Sequence, residues 1–151
     1  MKHASLLAAS TCMLLSLAAG PAAAQFAKKE DAIKYRQSAF TLMASHFGRM
    51  TPVVKGQVPY EPEAIKANVA LLRTLATLPW AGFGPGTEGG EAKDDIWLDE
   101  DGFKQAQQKL QDKLQALSAA ADAGDLDRLR QAFGDVGASC KSCHDSYRQK
   151  K

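Results

Sequence analysis

The chain has 151 residues, with 19 Lys and Arg against 17 Asp and Glu and a formal net charge of +2. That length suits one domain, and 45% apolar residues are enough for a core. A near-balanced mixture of both charge signs gives no basis for binding nucleic acid.

The first segment, "MKHASLLAASTCMLLSLAAGPAAAQ", has Lys2 and His3 ahead of an apolar run from Ala4 to Ala19. Pro21 ends the run, and Ala22-Ala23-Ala24 forms a small-residue cleavage site. This predicts a secretory signal peptide over residues 1–24, cut before Gln25, and one domain over 25–151. The run is too short for a membrane anchor and lacks a stop-transfer flank. Ala9-Ser10-Thr11 is a poor lead-in for a lipid-modified Cys12. Cleavage leaves 127 residues of net charge +1, with Cys140 and Cys143 as the two remaining cysteines. It also places the mature protein in the periplasm, where a stray cysteine pair tends to oxidise.

Over residues 26–57, Ile33, Phe40, Ala44, Phe47, Thr51 and Val54 recur near a 3.5-residue period and predict an amphipathic helix. Pro52 should kink or end it. A second apolar set, Ala39, Leu42 and Met50, lies partly off that stripe and suggests a dimer surface. Glu61-Pro62 opens a second helix with the stripe Ile65, Val69, Leu72 and Ala76, stopped by Pro79. "AGFGPGTEGGEAKDD", from Ala81 to Asp95, is crowded with glycine, has no period, and predicts a long loop that covers something. Acids from Asp99 to Asp101 suit a helix start, followed by the stripe Phe103, Leu110, Leu114, Leu117 and Ala121. Gly124 breaks that helix, and Asp125 is a good N-cap for a fourth. Four amphipathic helices without a strand signal predict an all-α, antiparallel up-down four-helix bundle.

The fourth helix has Leu129, Phe133 and Val136 on its apolar face. Continuing their alternation of four and three reaches Cys140, Cys143 and Tyr147, so both thiols face the core. Cys140, Cys143 and His144 have the spacing C-x-x-C-H. Three chemistries use such residues. Structural zinc needs about four ligands, and the mature chain adds only His46. A thiol redox pair usually opens a helix in a βαβ setting, which is absent. Covalent haem needs two thiols for the vinyl groups and an adjacent histidine for the iron. Composition alone would produce this spacing in roughly one such chain in a thousand. Together with export, it points to haem c, one per chain, with His144 as an axial ligand.

The opposite haem face decides the chemistry: a second strong ligand makes an electron carrier, and an apolar wall leaves the iron open to gases. Arg36, Phe40, Met43 and Phe47 share one face of the first helix. Met43 is a candidate sixth ligand or core filler; His46 lies off the stripe, as a surface histidine would. With Phe40 and Met43 apolar and His46 aside, no general acid is evident, so an enzyme such as an NO reductase or peroxidase is not expected.

Together with the C-terminal motif and the four-helix pattern, "DAIKYRQSAFTLMASHFGRMTPVVKG", "LPWAGFGPGTEGG" and "FGDVGASCKSCHDSYRQKK" resemble cytochrome c′, most nearly that of denitrifying proteobacteria, over nearly all of residues 25–151. Cytochrome c′ is itself a standard example of the up-down bundle, so the two fold expectations are not independent. The resemblance implies a periplasmic, usually homodimeric protein with five-coordinate high-spin haem. It implies binding of NO and CO, poor binding of O₂, and a link to NO handling more than to a settled electron-transfer step. By position it implies that Cys140 and Cys143 attach haem and that His144 is the proximal ligand. It places Arg36 and Gln37 near the haem propionates, Glu91 at the haem edge, Arg148 beside the proximal histidine and Phe40 over the open iron face. Close relatives are expected to have leucine at position 40, so the size of the distal pocket is where this chain departs from them. Arg148 also lies four residues beyond His144 on the predicted helix, so the two are neighbours; Lys150 and Lys151 make a solvated basic tail the plainer account.

Overall fold

The computed structural model describes residues 25–150. The signal-peptide and Cys12 readings fall outside the described residues. Six helices are labelled in chain order: α1 (Lys29–Gly48), α2 (Thr51–Val54), α3 (Pro62–Leu75), α4 (Asp95–Leu98), α5 (Glu100–Asp122) and α6 (Leu126–Tyr147). A 3-10 helix, Pro79–Phe83, follows α3. The long helices α1, α3, α5 and α6 form an all-α four-helix bundle, as expected. Among the described residues, bridge pairing is confined to Ala92 and Arg148.

Local sequence explains most boundaries. Pro52 stands in the first turn of α2, so the helix predicted over 26–57 divides at Gly48. Pro62 opens α3. Asp99 caps α5 by accepting Gly102 N–H at 3.1 Å. Asp125 caps α6 by accepting the N–H groups of Asp127 and Arg128, both at 3.0 Å. Gly124 turns the chain between them at φ +67°, a conformation that favours glycine. The predicted 81–95 loop holds more structure than its composition suggests: the 3-10 helix at its start and α4 at its end.

The core is built where the stripes of α3, α5 and α6 meet. Val69, Leu72, Leu114, Leu117, Leu129 and Val136 are almost fully buried there. Each such side chain contributes about 1.5–3 kcal/mol through removal from water.

On α1 the expectation needs correction. Its buried side is Ala32, Arg36, Ala39 and Met43, while Phe40 and Phe47 are half-buried and Ala44 is exposed. Ala39 and Met50 are buried within one chain, so of the proposed dimer set only Leu42 reaches the surface. The cause is the placement of α1. Its backbone packs on α3 and the 3-10 helix, with no comparable packing along α6. Phe47 and Phe133 bridge α1 and α6 as stacked rings 4.1 Å apart. Toward the C-terminal end of α6, the space between the two helices is a cavity.

Candidate haem site

The cavity measures about 930 Å³, within the size range of sites that hold small molecules and cofactors. α6 supplies Val136, Cys140, Cys143 and His144 to one wall. α1 supplies Arg36, Gln37, Phe40, Met43, Ala44 and Phe47 to the opposite wall. Trp80, Phe83, Glu91 and Ala92 close it from the loop side, and Phe103 and Leu110 form its floor on α5. The three C-x-x-C-H side chains therefore open into one largely apolar space; for the two thiols this is what the stripe on α6 predicts. His46 is absent from the wall; it is engaged between α1 and α3, where its Nδ1 lies 2.8 Å from Asn68 Oδ1 and its carbonyl accepts Asn68 Nδ2 at 2.8 Å. It does not complete a zinc set.

Electrostatics argue against thiol redox chemistry. Burial, with the neighbouring Cys140 adding to it, pushes the free Cys143 thiol up to about 11. Burial also raises Cys140. Redox cysteines need the reverse, a depressed pKa. Burial first, and then the charge of Arg148, hold the His144 imidazole below the ordinary histidine value, against the opposite pull of Asp145 and Glu91. The neutral imidazole is the form whose lone pair ligates a metal.

Arg36 is 3% exposed. Its Nη1 donates to Gly82 O at 2.6 Å and Thr87 O at 2.7 Å, and its Nη2 to Gly89 O at 2.7 Å. The guanidinium carbon lies 4.5 Å from the Phe83 ring centre and 5.6 Å from that of Trp97. Arg36 thus clamps the glycine-rich loop onto α1. Gly82 permits the approach: a Cβ there would stand 2.7 Å from Ala32 O and 2.9 Å from Arg36 Cβ. Gln37 is exposed at the cavity mouth.

Phe40 faces the cavity and meets Trp80 and Phe83 edge to face, at 5.8 and 6.2 Å between centroids. Met43 lies deeper, 7% exposed. Arg148 corrects the helical-neighbour argument. The helix ends at Tyr147, and Arg148 is extended at φ −114° and ψ 136°. It still lies at the cavity beside His144, because its N–H donates to His144 O at 3.0 Å and it bridges to Ala92. Two backbone bonds, Lys93 N–H to Tyr147 O at 3.0 Å and Gln149 N–H to Glu91 O at 2.8 Å, stitch the loop to the tail.

Sequence reasoning missed this strap, Lys93 within it, and the aromatic wall as a unit. The signal available was a glycine-rich loop that holds Phe83 and is flanked by Trp80 and Trp97, beside a polar tail. Nothing in its spacing says which partner it takes.

A four-helix bundle with C-x-x-C-H on the inner face of its last helix, opening into an apolar cavity, defines a class II c-type cytochrome. The cytochrome c′ family model matches residues 31–148, and the chain belongs to that family. A cytochrome c′ of Alcaligenes xylosoxydans xylosoxydans is 73% identical over 127 residues, covering 84% of this chain and all of that protein. One from Rubrivivax gelatinosus is 45% identical, covering 83% of this chain and all of its own length. Among solved structures, the nitric oxide complex of a mutant of cytochrome c prime from Alcaligenes xylosoxidans superposes with a TM-score of 0.83 at 72% identity. It covers 84% of this chain and 100% of that one. A ferrous variant of the same protein with bound NO superposes equally well, at 0.83, 72%, 84% and 100%. The family binds haem c covalently, and the pair of cavity-facing thiols with an adjacent imidazole fits that group.

Proposed function

We propose that this protein is an exported, periplasmic gas-binding cytochrome c′, released by cleavage of a signal peptide over residues 1–24. The observation that carries the reading is the asymmetry of the cavity. One wall presents the thiols of Cys140 and Cys143 and the imidazole of His144. The facing wall presents Phe40, Met43, Ala44 and Phe47. In this reading Cys140 and Cys143 would hold haem through thioether bonds, and His144 would ligate its iron. When bound, haem supplies an iron centre with one coordination position left for a diatomic ligand. Phe40 limits access to that position, and the apolar wall excludes water from it. Arg36, Gln37 and Glu91 border the polar haem edge.

The ligands proposed are NO, which the solved relatives bind, and CO. The role is NO binding and detoxification, with electron transfer possible as a secondary function, and no catalytic turnover. A homodimer is proposed through the outer faces of α1 and α3, where Leu42 and Leu71 remain 49% and 44% exposed. Met43 supports a second reading, a low-spin electron carrier, because it lines the same cavity. The absorption spectrum of the purified protein, with and without NO, separates the two. High-spin bands that change on adding NO support gas binding; low-spin bands indifferent to NO support Met43 as sixth ligand.

A further inference from the structure

A helix leaves its last four carbonyls without intrahelical partners. In α6 these belong to His144, Asp145, Ser146 and Tyr147. Arg148 N–H takes the first, at 3.0 Å. Lys93 takes the other three: its Nζ donates to Asp145 O at 2.9 Å and Ser146 O at 3.0 Å, and its backbone N–H to Tyr147 O at 3.0 Å. A positive charge there also complements the negative end of the helix dipole.

The turn closed in this way carries His144. Lys93 itself is absent from the cavity wall, although Glu91 and Ala92, just before it, belong to the wall. Its loop is held at the other end by Arg36 on α1. A mechanical link therefore runs from α1 through the loop to the turn that holds the imidazole. Without the ammonium, Asp145 O and Ser146 O lose their partners and the last turn is free to fray.

We propose that Lys93 is a positioning residue for His144: by capping three terminal carbonyls of α6 it fixes where the imidazole stands in the cavity, and keeps Arg148 beside it. The proposal deepens the haem reading above and rests on it. Lys93→Met keeps the aliphatic stem and the backbone N–H and removes both Nζ bonds; Lys93→Arg restores a charged donor.

The experiment compares haem-loaded wild type, K93M and K93R in two measurements. Hydrogen exchange reads the amides of Lys93, Arg148 and Gln149. Resonance Raman of the reduced protein reads the iron–histidine stretching band. In K93M those amides should exchange at least threefold faster and the band should shift or broaden, while K93R returns both toward wild type. Unchanged exchange and an unchanged band in K93M would overturn the proposal, as would faster exchange with an unchanged band, which makes the clamp purely structural. If K93M does not accumulate, K93Q, which has lost the charge and shortened its reach, takes the same measurements under the same criteria. A wild-type protein without an iron–histidine band would instead refute the five-coordinate gas-binding reading, and the exchange data would still report on the clamp.

Discussion

The Tyr147 hydroxyl donates to Oδ2 of Asp99 at 3.0 Å, while Oδ1 of the same carboxylate accepts Gly102 N–H at 3.1 Å. One aspartate thus caps α5 and ties down the last residue of α6. The phenol ring packs edge to face on Phe103 at 5.2 Å. Gly102 is the residue that leaves room, because a Cβ there would collide with the Asp99 carboxylate and the Tyr147 hydroxyl.

Two substitutions test this junction. Asp99→Ala removes an N-cap and should cost about 1 kcal/mol. Gly102→Ala should gain up to about 1 kcal/mol from helix propensity alone; because the new methyl displaces the carboxylate, the protein should instead be destabilised. A thermal melt of each variant decides, and a stabilised Gly102→Ala would refute the steric reading.

Phe40→Ala should separate gating from packing. The ring is half-buried and touches Trp80 and Phe83, so its loss should cost about 2–4 kcal/mol. Removing the ring from the cavity wall should also make CO and NO bind faster. Stopped-flow CO binding to the reduced protein, beside a thermal melt, measures both. An unchanged association rate would remove Phe40 from the ligand path.

Arg148→Ala leaves the strap intact, since the Ala92 pairing uses backbone atoms. Haem attachment should survive, and the coordination number or stability of the NO complex should change. Identical NO spectra and kinetics would return Arg148 to the solvated tail.

The Lys141–Asp145 pair gives a pH signature. The hydrogen bond from Lys141, foremost among several causes, holds the Asp145 carboxyl below the ordinary aspartate value. The unfolded chain therefore takes up this proton first as pH falls. Its stabilising contribution is complete above the ordinary value and lost as pH falls through the lowered one. The pair is exposed, so its effect is small. The melting temperature of wild type should exceed that of Lys141→Met slightly at neutral pH, and the gap should close in acid. A gap that widened in acid would give the wrong sign.

Leu42→Glu should weaken self-association if the outer face of α1 forms the dimer contact. Sedimentation at micromolar concentration reads it. A wild-type monomer, or a variant dimer of equal strength, would place the contact elsewhere or abolish it.

Much of the molecule is written in local order along the chain. Asp125, Gly124, Pro52 and Pro62 mark boundaries through backbone chemistry that needs no distant partner. The spacing of Val136, Cys140 and Cys143 puts both thiols on an inward face because a helix has a fixed period. Tertiary structure decided what that period cannot express. Ala39 and Met50 read as surplus apolar surface, yet they are buried, because only the placement of α1 against its neighbours determines how wide its covered face is. Arg36 reads as a charge on a helix. It becomes a clamp because the glycine-rich loop has carbonyls to satisfy and folds back over 46 to 53 residues of chain to meet it. Arg148 reads as the next helical position after His144 by four. It leaves the helix because the Glu91–Lys93 segment offers its backbone a bridge at Ala92, and Lys93 ends the helix by taking its last carbonyls. Periodicity reports how each helix presents its faces; hydrogen bonds between segments far apart in sequence have no period, and they form only once the bundle brings their donors and acceptors together.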